Sequence, residues 1–178
     1  IFKDLTGQGR QLDPARTLGW VAEKFGPIPR SAQPIPTTYT VEPTQDGERA
    51  IVLRRVGDVQ ALHVGYHVPA GSHPDHGPVR VLMDVLTGSP NGRLFKALVE
   101  TKQATAVGSS ARGLREASYA VIEARLRKEQ SLDGVRVTIL QTLDGLAANP
   151  PTAEEVNRSR EKLVRQAEQA LADSSAVG

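Results

Sequence analysis

The chain has no cysteine among its 178 residues, which excludes disulfides and takes thiolates off any list of metal ligands. Aromatic residues are scarce. One tryptophan, three phenylalanines and three tyrosines are too few to build a stacking platform for nucleic acid. A surplus of one charge is also lacking: 22 basic residues face 20 acidic ones, and no Lys/Arg block exceeds two. The pI near 9.1 therefore points to neither nucleic acid nor an anionic membrane. No apolar run approaches the ~20 residues of a membrane span, and no secretory leader pattern opens the chain. Because the first residue is Ile1, the expectation is a fragment or a processed chain.

What is present is a well-punctuated series of short elements. Residues 1–12 have no clear period and read as a ragged strand or loop. Asp13-Pro14 is a helix start, an N-cap followed by proline at the first helical position. Leu18, Val21, Ala22 and Phe25 recur at helical spacing until Gly26-Pro27 stops them. Trp20 and Phe25 read as packing residues. Residues 26–37 hold four prolines and form an extended linker, the best candidate boundary in the chain. A hairpin is expected next, 47–56 turning at Gly57-Asp58 into 59–68. In its second strand Leu62, Val64, Tyr66 and Val68 share one face, and Ala61, His63, Gly65 and His67 the other.

Val79, Leu82, Met83 and Leu86 mark a core-facing helix over 73–87, broken at Gly88-Ser89-Pro90. Leu94, Phe95 and Leu98 mark another over 92–102. Strands are expected at 104–110 and 118–127. Ser131 caps a helix carrying Leu132, Val135, Ile139, Leu143 and Leu146, ended by Asn149-Pro150-Pro151. Thr152 and Glu155 form a capping box opening a long polar helix, and the tail after Asp173 is expected to fray. The order ββααββαα after the linker predicts an α+β, two-layer domain: an antiparallel or mixed sheet with helices packed on one face.

Chemistry-bearing motifs are sparse. The four histidines, His63, His67, His73 and His76, lie within fourteen residues. A zinc site needs its ligands converging at about 2.0–2.2 Å from the ion, yet His63 and His67 sit about 13 Å apart along one strand face. His73 and His76 fall at a turn, with Asp75 less well placed. No shared metal site is expected. An independent histidine-rich metal-binding module is the alternative, which zinc in the purified protein would reveal. Asp75, Asp84, Glu100, Glu123 and Glu129 supply carboxylates, but spacing distinguishes no pair for acid–base work. There is no G-x-S-x-G nucleophile string and no phosphate-cradling loop.

Three phrases occurring together, DPARTLGWVAEKFGPIPR, LRRVGDVQ with HVPAGSHPD, and SPNGRLFKALVETK, carry a resemblance. Between about Asp13 and Glu168 the chain resembles the non-catalytic repeat of pitrilysin/insulinase-family zinc metallopeptidases, in the first half of a long bacterial member. That family cleaves peptides with an inverted H-x-x-E-H motif, which is absent here. Where that motif would fall, HPDHGPVRVLMDV has no E-H pair. An arginine and a tyrosine that grip substrate in such proteins correspond here to Val99 and Ala106.

The resemblance implies the closing segment of a preceding catalytic repeat at 1–25, a Pro-rich linker at 26–46 and a non-catalytic repeat at 47–178. It implies a structural, peptide-chamber role, with no catalytic residue, metal or cofactor in this chain and zinc in the parent's catalytic repeat. Implied partners are that repeat, the parent's second half and a peptide. Nucleic acid and membrane are not implied. Bacterial relatives are often exported, so the periplasm is the expected compartment. The 13–25 stripe is expected to dock, either by folding back on the second repeat or by self-association with another copy of the isolated chain. The candidate substrate-binding residues are Arg93, His63 and His67. For Arg93 the competing role is structural, bonding local carbonyls. The alternative to a peptidase domain is a non-peptidase scaffold relative, such as a processing-complex or respiratory-complex core subunit.

Overall fold

A computed structural model of the chain describes residues 2–3, 9–10, 13–33 and 45–172. Two compact units emerge, one drawn from residues 1–54 with 170–178, the other from Arg55–Gln169. In the first, β1 (Phe2–Lys3) and β2 (Gly9–Arg10) pair antiparallel, and helix α1 (Pro14–Phe25) follows. The Asp13 side chain accepts hydrogen bonds from the Ala15 and Arg16 N–H groups at 3.0 and 3.2 Å, so the first turn is capped as Asp-Pro predicts. Leu18, Trp20, Val21 and Phe25 are all exposed, and the helix buries no residue. The expected packing of Trp20 and Phe25 is thus not made among the described residues. Instead the Arg16 guanidinium sits 4.8 Å from the Trp20 ring centroid. The linker residues 34–44 and the tail after Asp173 lie outside the described residues.

The second unit holds a three-stranded sheet: β3 (Val59–Val68), β4 (Ala106–Ala111) and β5 (Ser118–Arg127), in the order β3-β5-β4. Both outer strands run antiparallel to β5, from Val59↔Arg127 to Val68↔Ser118 on one side and Ala106↔Arg125 to Ala111↔Ala120 on the other. β3 and β4 therefore point the same way, and parallel strands need a crossover between them. Helix α2 (His76–Thr87) and a short π-helical segment, Phe95–Glu100, supply it. Lys102, at φ 61°, ends that segment in the left-handed region. Helices α3 (Leu132–Asp144) and α4 (Ala153–Ala172) complete the chain.

The expected strand at 47–56 does not form. Residues 45–58 have no regular secondary structure, and Ile51, Val52, Leu53 and Val56 are exposed. The ladder order is therefore βααββαα after the linker, one strand short of the sequence expectation. Strand propensity measures fit to a pleated, half-buried surface. The run Ala50 to Leu53 puts apolar side chains on both faces of any strand it would make, and none of the described residues covers them. Most other boundaries fall within two residues of the pattern; α2 starts three residues late at His76, the π-helical segment starts three residues late at Phe95, and α3 ends at Asp144, short of the expected Leu146.

The core is one layer between the sheet and the helices. On β5 every second residue, Ser118 through Leu126, is buried, with Ala120, Ile122 and Ala124 fully enclosed. Leu86, Leu94, Leu98, Val135 and Ile139 come down from the helices, and Leu62, Val64, Val68 and Leu82 pack partly buried around them. Tyr66, assigned to the same face by alternation, is nearly half exposed. At the end of the sheet the loops after β3 and β4 cross closely: Gly71 N–H donates to the Leu114 carbonyl. A Cβ on Gly71 would lie 2.8 Å from the Gly113 Cα. Only glycine lets two backbones approach this far.

Leu86 is 1 % exposed whereas Leu82 is only partly covered, which ranks the two positions. Leu86→Ala is expected to lower unfolding free energy by about 2–5 kcal/mol and Leu82→Ala by less, while exposed Arg80→Ala stays within about 0.5 kcal/mol. Urea unfolding of the three variants checks the order. Equal losses at Leu86 and Arg80 would mean that α2 presents a different face to the sheet.

Candidate functional site

Helices seal one face of the sheet and leave the other open. That open face is built by the odd-numbered residues of β3 and β5, which the register sets in pairs: Ala61 opposite Arg125, His63 opposite Glu123, Gly65 opposite Val121 and His67 opposite Tyr119. β4 adds Ala106, Gly108 and Ser110. Small residues flank the central strand, so the longer side chains of His63, His67, Tyr119, Glu123 and Arg125 stand above a low floor. Arg125 Nε donates to Glu123 Oε1 at 2.7 Å. That bond holds the Glu123 carboxyl below its ordinary range, and the facing His63 adds a smaller pull in the same direction. The same pairing raises Arg125. The result is a carboxylate fixed by a guanidinium and facing an imidazole across the strand pair, with the complementary charges of Glu123 and Arg125 at set positions.

Two of the three sequence-derived candidates, His63 and His67, lie on this face, with their Cα partners Glu123 and Tyr119. Sequence reasoning did not single out Arg125. The signal was there, because Glu and Arg two apart in an alternating strand necessarily share a face. Only the pairing with β3 sets them against His63.

The other two histidines lie elsewhere. His73 Nδ1 accepts the Asp75 N–H at 3.2 Å. His76, at the start of α2, has a buried Nδ1 with no hydrogen-bond partner among the described residues, and its Nε2 lies against Gly113. Among the described residues no group of three or more His, Asp or Glu side chains is placed to share a metal ion. The inward side of α2 carries Val79, Leu82, Met83 and Leu86 in the hydrophobic core. An ion there would meet no ligand, so the residues present do not fit zinc.

The third candidate, Arg93, is engaged by the protein itself. Its guanidinium donates to both Glu155 carboxylate oxygens, at 2.8 and 2.7 Å. It also donates to the Asn149 and Pro150 carbonyls at 2.6 and 3.0 Å. Glu155 is at the same time the capping-box residue of α4: Oε2 accepts the Thr152 N–H at 2.8 Å, and its own N–H donates to Thr152 Oγ1 at 3.2 Å. The Arg93 hydrogen bonds, helped by Thr152, hold the Glu155 carboxyl down to about 2, against an ordinary 4.5.

This arrangement sets a pH dependence. Glu155 is more acidic in the folded chain than in the unfolded one, so its contribution is complete above pH 4.5 and is lost as pH falls toward 2. The partly exposed pair corresponds to about 1–3 kcal/mol. Arg93→Ala should lower unfolding free energy by about that amount at pH 7. Glu155→Gln should flatten the stability profile over that acid range. Urea midpoints measured across the range check both, and an unchanged acid slope in Glu155→Gln would remove Glu155 as its cause.

Helices over one face of a small antiparallel sheet define a two-layer α+β domain. The profile of the Peptidase M16 inactive domain matches residues 11–163, and the chain belongs to that family. The inactive peptidase domain of a protein provisionally named a zinc protease, from Bordetella parapertussis, is similar at 33 % identity with a TM-score of 0.63. The match covers 71 % of this chain and 67 % of that one. A Helicobacter pylori protease shares the fold over 93 % of this chain at 24 % identity and a TM-score of 0.82. A chain of complex III2 from Candida albicans, with Inz-5 bound, shares the fold at 13 % identity and a TM-score of 0.59 over 67 % of this chain. The matched region spans 41 % of the Helicobacter chain and 31 % of the Candida chain. No curated protein sequence matches the chain.

Proposed function

We propose that this chain is a substrate-chamber and structural domain of a zinc-dependent metalloendopeptidase of the pitrilysin/insulinase type, whose peptide-bond hydrolysis takes place in another repeat. The observation that carries this reading is the asymmetry of the sheet. One face is closed by a continuous core, and the other is open and polar, with the ion pair Glu123–Arg125 fixed on it and His63 facing Glu123. Among the described residues the outer edge of β3 has no strand partner, so an extended peptide has backbone groups to pair with as well as side chains to meet. Residues 1–25 would then close the preceding zinc-binding repeat, 26–46 link the two, and 47–178 form the non-catalytic repeat. The exposed stripe of α1 would be covered by that repeat or, in the isolated chain, by a second copy. Soluble proteins seldom leave such a patch bare.

The fold shared with the complex III chain supports a second reading, a scaffold relative that keeps the architecture without proteolysis. Whether the parent coding sequence contains H-x-x-E-H separates the two.

The chain alone should not turn over a quenched peptide, with or without added zinc. Titrating it with an unstructured peptide should shift amide resonances of β3 and the odd-numbered residues of β5. His63→Ala combined with Glu123→Gln should reduce those shifts without changing the unfolding midpoint. Chelator-sensitive turnover by the rigorously purified chain, or peptide shifts confined to the helical layer, would overturn this assignment.

A further inference from the structure

The helical side of the same unit carries a second feature, independent of the peptide reading. The end of α2, the turn at 88–92 and the middle of α4 line an open cleft of about 150 Å³ whose walls include Asp84, Asn91, Arg158, Ser159, Lys162 and Arg165. Organic ligands occupy pockets of roughly 300–1,000 Å³, so this space suits an ion rather than a nucleotide or a peptide. Its charge is one-sided: three cations face a single carboxylate.

The three cations differ in how far they are already committed. Lys162 Nζ is held by Asp84 at 2.6 Å. Arg158 reaches Glu154 at 3.3 Å, and that carboxylate is 88 % exposed, so the pair is weak and screened. Arg165 has no ion-pair or hydrogen-bond partner among the described residues. A second observation is of another kind. Ser159 is 4 % exposed, lines the cleft, and makes no hydrogen bond to any described residue. A serine inside a helix can bond back to the carbonyl four residues earlier; the Ser159 hydroxyl does not, and its oxygen is not sealed from solvent. Here the hydroxyl borders a cationic space whose one carboxylate, Asp84, is engaged by Lys162.

We propose that this cleft binds a small oxyanion of the phosphate class. Arg165 and Arg158 would supply charge-assisted donors, and Ser159 and Asn91 neutral ones. Arginine's planar fork suits such an anion better than the point charge of lysine, and Asp84 leaves Lys162 as a fixed crossbar rather than a free donor.

The test is a titration of the whole chain with inorganic phosphate, followed by amide NMR at constant pH and at an ionic strength held with sodium chloride. A saturable shift is expected at Ser89, Asn91, Ser159 and Arg165. Arg165→Gln, an exposed substitution that leaves the fold intact, should weaken binding by about tenfold or more. Ser159→Ala should weaken it by less. Arg115→Gln, on the loop after β4, should leave it unchanged. A parallel titration with acetate distinguishes a carboxylate site. Three outcomes each overturn the proposal: non-saturable shifts spread over exposed arginines, Arg165→Gln binding phosphate like the unaltered chain, or acetate binding where phosphate does not.

Discussion

The side chain of Glu155 ties together three places that are distant in sequence, and the helical layer depends on it. One oxygen takes the Arg93 Nε, and the other takes Arg93 Nη2 and the Thr152 N–H. Arg93 in turn holds the Asn149 and Pro150 carbonyls. The start of the segment leading into the π-helical turn, the turn leaving α3 and the first turn of α4 are thereby fastened at one point. Each group has its own reason to need a partner: orphan N–H groups at a helix start, carbonyls in a proline turn and a guanidinium only a quarter exposed. Satisfying all of them with one ion pair explains why a carboxylate near the surface is held at about 2.

Once the helices are fixed, the sheet can have only one inner face. β5 lies between β3 and β4, and its small buried residues Ala120 and Ala124 alternate with Ile122 and Leu126, so the covering layer fills against it with little unused volume. The opposite face is then left for polar residues, and the charged pair Glu123–Arg125 occupies its middle. The division into a sealed face and an open face follows from strand periodicity alone. Its use as a chamber wall follows only if another part of a longer protein stands across from it. The apolar side chains of α1 and of residues 51–56 are exposed among the described residues.

The short elements and their signals were legible in the sequence. Asp13-Pro14, Ser131 and the Thr152–Glu155 capping box all operate as read, because caps are local: the bonds close within three residues. β5 was recovered end to end, because alternation with one buried face is a strong two-residue period. The absence of an E-H pair in α2 was visible directly, and α2 packs into the core by the stripe the spacing implied.

Tertiary structure decided what depends on partners. The strand expected at 47–56 had the right composition, but a strand exists only as part of a ladder, and none forms there. The sequence marked Arg93 as notable but could not show that Glu155, 62 residues later, would take its guanidinium. Likewise His63 and Glu123 are 60 positions apart, and only the β3–β5 register brings them together. Periodicity and capping determined which elements exist, through interactions within one turn or one strand. Long-range pairing decided which charged groups meet, because nothing local in the chain specifies it.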